Sequence, residues 1–217
     1  MIDARVSELA GRFQEVVRSE EELRTRTGPA HDRAVAKVVG EIDAHARRFI
    51  AASPFVFIAS AGRDGHLDVS PKGDPAGFVK VLDPTTLAIP DRLGNQRHDT
   101  FLNVLANPAV GLIFIVPGVT WALRVSGQAI VVRDADLRES LAERGKPPHQ
   151  VLVVGVERVL SHCPKCMVRS SLWKPDAWPG TGDVPSFAET LVAHARLADS
   201  VETVAESIEA GNRDRLY

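Results

Sequence analysis

Between residues 54 and 160 the sequence breaks into short β-prone runs separated by turn chemistry, and this constrains the fold more than any other feature. The runs are Phe55-Val56-Phe57-Ile58-Ala59, Leu67 to Ser70, Phe78 to Leu82, Thr86 to Pro90, Val110 to Val116, Trp121 to Val132 and Val151 to Leu160. Ala61-Gly62-Arg63-Asp64-Gly65, Asp83-Pro84 and Pro117-Gly118 supply hairpin-type links. Few helices intervene, so the strands have no crossover connections to make them parallel. The pattern predicts an antiparallel barrel within a mainly β fold with flanking helices (α+β).

Helical periodicity is confined to the two ends. Val35, Val38, Val39, Ile42, Phe49 and Ile50 recur at spacings that one helix face would bury, which predicts helix over residues 5–52. Ser53-Pro54 stops it, because a residue before proline avoids helical geometry. Asp99 reads as the N-cap of a short helix to Ala106, ended by Asn107-Pro108. Ala135 to Arg144, residues 163–172 and residues 186–210 are the remaining helical stretches, the last holding one or two helices. Lys174 to Pro185, rich in Pro and Gly, is the best linker candidate. We read one domain over 1–217: a helical N-terminal extension at 5–52, a barrel core at 54–160 and a C-terminal helical arm at 163–217.

Bulk properties exclude several classes. With 26 basic and 28 acidic residues the net charge is −2, so no global basic field draws nucleic acid or an anionic membrane. The longest apolar run, Val110 to Val116, is too short to span a bilayer. Met1-Ile2-Asp3-Ala4-Arg5 carries no secretory h-region, and two cysteines three positions apart fit a reducing cytoplasm.

Two segments carry the chemistry. In Asp68-Val69-Ser70-Pro71-Lys72-Gly73-Asp74-Pro75-Ala76-Gly77 a strand ends in a rigid loop with a lysine and a hydroxyl at its exit. In Ile89-Pro90-Asp91-Arg92-Leu93-Gly94-Asn95-Gln96-Arg97-His98-Asp99 a strand runs into a loop with two arginines and two amides, then into a helix start. Arginine forks and helix N-terminal N–H groups suit phosphate oxygens, and Lys72 adds a third cation. The alternative is two solvated loops whose charges keep them wet.

The stretch from about 54 to 132 resembles the FMN-binding core of the pyridoxamine 5′-phosphate oxidase-like superfamily, in particular its flavin-nucleotide-binding bacterial subfamily. The matching pieces are Ser53-Pro54-Phe55, Ser70-Pro71-Lys72-Gly73-Asp74 with Gly77-Phe78-Val79, and Ile89-Pro90-Asp91-Arg92 with Gly94-Asn95. Asn107-Pro108 with Val110-Gly111-Leu112, and Leu123-Arg124-Val125-Ser126-Gly127, complete them. The resemblance implies a split β-barrel that forms a homodimer and holds FMN in clefts between subunits. It implies that the strand holding Val69, Ser70, Pro71 and Lys72 lines the ring with backbone groups, and that Ile89 and Asp91 belong to the second cofactor-binding segment. Lys72, Arg92, Asn95 and Arg97 then grip the phosphate and ring edge, with Gln96 contributing its backbone.

The resemblance further implies a flavin-dependent oxidoreductase acting on a small molecule, with NAD(P)H a candidate electron donor. The competing reading is a non-catalytic protein that binds or senses flavin, haem or a deazaflavin. No catalytic residue is assigned; His66 and His98 are read as ordinary loop residues.

His162-Cys163-Pro164-Lys165-Cys166 admits three readings: a zinc site lacking its fourth ligand, a thiol redox pair, or two small residues at a helix start. The related subfamily carries a similar His-Cys step followed by Arg-Ser and Leu-Trp, matched here by Arg169, Ser170, Leu172 and Trp173. That likeness brings Arg169 and Trp173 toward the flavin or the dimer cleft; the other reading of Trp173 is plain apolar area.

Overall fold

A computed structural model describes residues 4–217, so Met1-Ile2-Asp3, where the leader reading begins, lies outside the described residues. Two compact units make up the chain, one running up to Lys37 and one from Val38 to Tyr217.

The first unit holds α1 (Ala4–Ala10), α2 (Glu20–Thr27) and α3 (Asp32–Ala36), none of which buries a residue. Local chemistry defines α2. Ser19 accepts from the Glu22 N–H as its N-cap, three glutamates fill the first turn, and Gly28 ends it. The continuous helix expected over 5–52 is therefore broken. Gly28-Pro29 interrupts it, and Val39 leaves the helix to pair with Val159 in a β-bridge. Only α4 (Ala44–Ala52) keeps the expected stripe, burying Ala46, Phe49 and Ile50 behind an Asp43 N-cap.

The second unit is built on a seven-stranded antiparallel sheet in the order β2-β1-β5-β6-β7-β4-β3. The strands are β1 (Phe55–Ala61), β2 (Leu67–Gly73), β3 (Lys80–Asp83), β4 (Thr86–Pro90), β5 (Ala109–Ile115), β6 (Ala122–Val132) and β7 (Val151–His162). This is the expected split barrel with flanking helices. Each expected strand exists; β3 starts two residues late, because Phe78 and Val79 are buried in the turn that precedes it.

Alternation fills the barrel. Val56 and Ile58 of β1, Leu112 and Phe114 of β5, Leu123 and Val125 of β6, Leu152 and Val154 of β7 and Leu87 and Ile89 of β4 form one cluster. Each such side chain contributes about 1.5–3 kcal/mol on full burial. On β6 the register shifts between Ser126 and Gly127. A Cβ on Gly127 would lie 1.9 Å from the Gly155 carbonyl oxygen, so only glycine fits this close strand approach.

Helix α5 (Asp99–Ala106) packs Thr100, Phe101 and Val104 inward. Asp99 is its first residue rather than its N-cap: His98 takes the cap position in the left-handed region (φ 55°), and Asp99 faces Arg97 instead. Helices α6 (Ala135–Ser140) and α7 (Lys165–Arg169) are shorter than expected. The arm forms two helices, α8 (Phe187–Ala195), with a Ser186/Glu189 capping box, and α9 (Val201–Asp214). No described helix is long and apolar enough to cross a membrane.

Candidate functional site

The exit of β2 and the loop after β4 meet. The two segments are far apart in the strand order, yet together they line a cleft of about 410 Å³. Its walls include Ser70, Pro71 and Lys72 from β2, Asp91 through His98 from the loop, and Asp99 to Phe101 from the start of α5. The volume lies in the range of small-molecule sites, about 300–1,000 Å³. Pro71, Phe78, Pro90 and Phe101 give apolar surface; the lysine, the loop amides and the α5 N-terminus give polar donors.

The charges are not equivalent. Arg92 donates from Nε to Asp74, whose side chain is 1% exposed, and Arg97 donates to both carboxylate oxygens of Asp99, at 2.8 and 3.3 Å. That carboxylate raises the Arg97 pKa further, chiefly through the hydrogen bond. Lys72 is the one cleft-lining lysine or arginine with no ion-pair partner among the described residues, and its Nζ sits 5.6 Å from the Phe101 ring centroid. An incoming anion thus meets one uncommitted charge and two shared ones.

Hydrogen bonds set the walls. Asp68 accepts from the Ser70 hydroxyl at 2.7 Å and from Thr100 at 3.5 Å, tying β2 to α5. Asp91 is buried, accepts from the Gln150 amide nitrogen Nε2 at 3.2 Å, and lies 4.0 Å from His98 Nδ1. Gln96 (φ 58°) and His98 (φ 55°) are both left-handed, a conformation uncommon outside glycine that surrounding contacts must hold. The Asn95 side chain accepts from the Arg97 N–H at 3.0 Å and tightens that turn.

Of the sequence-predicted residues, Ser70, Pro71, Lys72, Asp91, Arg92, Asn95, Gln96 and Arg97 share this cleft. Val69 points away on the outer face at 61% exposure, and the Ile89 side chain is core. Arg169 ends α7, and Trp173 Nε1 donates to the Val119 carbonyl at 2.9 Å; neither lines the cleft of its own chain. Sequence reading missed His149 and Phe101, which line the cleft, and Tyr217, which donates to Asp74 at 2.6 Å. Cys163 and Cys166 are exposed and unbridged, and no cluster of three or more potential ligands for a metal exists among the described residues.

A split barrel with an anion-suited cleft where β2, the β4 exit and a helix start converge defines the class of protein. The sequence matches the family described as pyridoxamine 5′-phosphate oxidase over residues 42–163, more than half the chain, and the chain belongs to that family. Comparison with curated proteins finds no match. Solved structures give partial likenesses. Group A Streptococcus HupZ is 18% identical (TM-score 0.46), covering 55% of this chain and 93% of that one. An FMN-binding protein from Syntrophomonas wolfei is 11% identical (TM-score 0.42; 53% and 82% covered). The haem storage protein HutZ from Vibrio cholerae is 12% identical (TM-score 0.41; 55% and 94% covered).

Proposed function

We propose that the cleft binds FMN and that the chain acts as an FMN-dependent oxidoreductase on a small molecule, as a homodimer. The observation that carries this is the convergence of Ser70–Lys72 and Asp91–Arg97 on one cleft holding an uncommitted lysine beside a helix N-terminus. Lys72 takes the phosphate, with Arg97 contributing the charge that Asp99 leaves over. The backbone of β2, held by its antiparallel pairing with β1, lies along the ring edge. FMN, when bound, supplies the redox chemistry, and the protein orients and tunes it.

A homodimer fits the outer face of β2, β1 and β5. Strand register places Val69 beside Ala59 and Gly111, and Pro71 beside Phe57 and Ile113. Leu67, Val69 and Ile113 are exposed at 72%, 61% and 39%. An apolar sheet face of this kind calls for a covering surface, and a second copy is the commonest solution.

The visible spectrum of the purified protein, before and after incubation with FMN, tests the reading. Bound flavin that NADH or NADPH reduces, with turnover on an added acceptor, supports the enzyme; flavin bound without turnover supports the non-catalytic binder. A second reading, haem binding, is favoured by the two imidazoles on the cleft wall, His98 and His149, since histidine is the common axial ligand. It predicts a Soret band on adding haemin that is lost in His98→Ala or His149→Ala.

A further inference from the structure

Asp74 follows β2 where the strand leaves the cleft, and its buried carboxylate serves two donors. Arg92 Nε donates to Oδ2, and the Tyr217 hydroxyl donates to Oδ1 at 2.6 Å. A carboxylate that is 1% exposed depends on such partners, because loss of one leaves charge both desolvated and under-satisfied.

Tyr217 is anchored in its own right. Its main-chain oxygen accepts from Lys146 Nζ at 2.6 Å, and the Arg144 guanidinium lies 4.8 Å from its ring centroid. The same segment borders the site loop: Gly211, Asn212, Arg215 and Leu216 share a depression of about 380 Å³ with Leu93, Gly94 and Gln96. Residues far apart in sequence, 74, 92 and 217, are thus joined through one buried carboxylate, and of the three Arg92 lines the cleft.

The arginine is the end of this relay. A guanidinium has five N–H donors in a fixed fork, so committing Nε to Asp74 sets its plane and leaves other donors for a ligand. Without Asp74 held in place, Arg92 would have its usual freedom. Hydrogen bonding to Asp74, more than any other influence, holds the Tyr217 phenol above its ordinary pKa; Glu143 adds to the rise and Arg144 opposes it. The hydroxyl therefore remains a donor at neutral pH.

We propose that Tyr217 is a positioning residue of the cofactor cleft: by holding Asp74 it fixes Arg92 in the wall, so that ligand binding and docking of the C-terminal segment are coupled. The inference rests on the cleft being the FMN site. Coupling is reciprocal, so FMN stabilises the docked segment to the degree that the docked segment favours FMN.

Fluorescence titration with FMN on wild type, Tyr217→Phe, Arg92→Ala and the double variant tests this. Tyr217→Phe keeps the ring under Arg144 and the main-chain bond to Lys146, and removes only the hydroxyl. Its dissociation constant is expected to rise about five- to tenfold, less than for a charge-assisted bond made to the ligand itself, because the lost hydroxyl acts on FMN only through Asp74 and Arg92. In the Arg92→Ala background the same change should have no further effect, because the relay is already cut. Asp74→Asn should mimic Tyr217→Phe, and amide exchange over residues 211–217 should slow on FMN binding in wild type but not in Arg92→Ala. Wild-type affinity in Tyr217→Phe overturns the inference, as does an equal loss in the Arg92→Ala background, which would mark a general packing role. Wild-type protein that binds no FMN removes the cofactor reading and this inference with it; FMN binding indifferent to Tyr217 removes the inference alone.

Discussion

Charge sharing in the cleft predicts unequal effects for residues that look alike in sequence. Lys72 has no ion-pair partner among the described residues, whereas Arg92 and Arg97 are each paired with an aspartate. Removing a charge-assisted hydrogen bond costs about 1.5–3 kcal/mol. At 1.4 kcal/mol per decade, Lys72→Ala should weaken FMN binding by about ten- to a hundredfold. Arg97→Ala should weaken it less, because Asp99 already offsets part of that charge and the side chain is 70% exposed to screening salt. Asp99→Asn should tighten binding, since it frees Arg97 and removes a negative charge from the wall. Flavin fluorescence quenching at fixed ionic strength, repeated at higher salt, measures all three. Binding unchanged in Lys72→Ala, or weakened in Asp99→Asn, would show that the phosphate does not sit among these groups.

Three further outcomes follow from the geometry. Val69→Glu places charge on the exposed face of β2 without touching the core, and should turn a dimer into a folded monomer by light scattering; an unaltered dimer would move the interface elsewhere. Gly127→Ala should abolish or severely destabilise folding in urea titration, since its Cβ would overlap the Gly155 carbonyl; wild-type stability would mean that β6 and β7 are not so close. The raised pKa of Tyr217 gives a pH dependence: its bond to Asp74 is intact below the ordinary phenol range near pH 10 and is lost as pH rises through the higher folded-state value. Proteolysis of the C-terminal segment should accelerate in that alkaline window in the wild type, and this step should be absent in Tyr217→Phe, which has no phenol to titrate.

The strands were legible because alternation and turn residues are local signals: Val56 and Ile58 are buried in β1, with Gly65 turning the chain (φ 80°) between β1 and β2. The N-terminal helix was not, because periodicity in Val35, Val38 and Val39 outweighed Gly28-Pro29, and nothing local marks the pairing of Val39 with Val159. In the site, residue types and loops were readable, but not which cation is free. Arg92 looks as available as Lys72 until the fold brings Asp74 to it and Tyr217 to Asp74 across 143 positions. Asp99 fits the N-cap preference by type, yet left-handed His98 takes that position and leaves the carboxylate to Arg97.

Sedimentation velocity of the FMN-incubated protein, followed at the visible absorption band of the flavin, asks whether cofactor and paired subunits travel together. Flavin absorbance should move with a dimer at one FMN per subunit. Flavin left at the boundary of the free small molecule, with the protein sedimenting colourless, would contradict it.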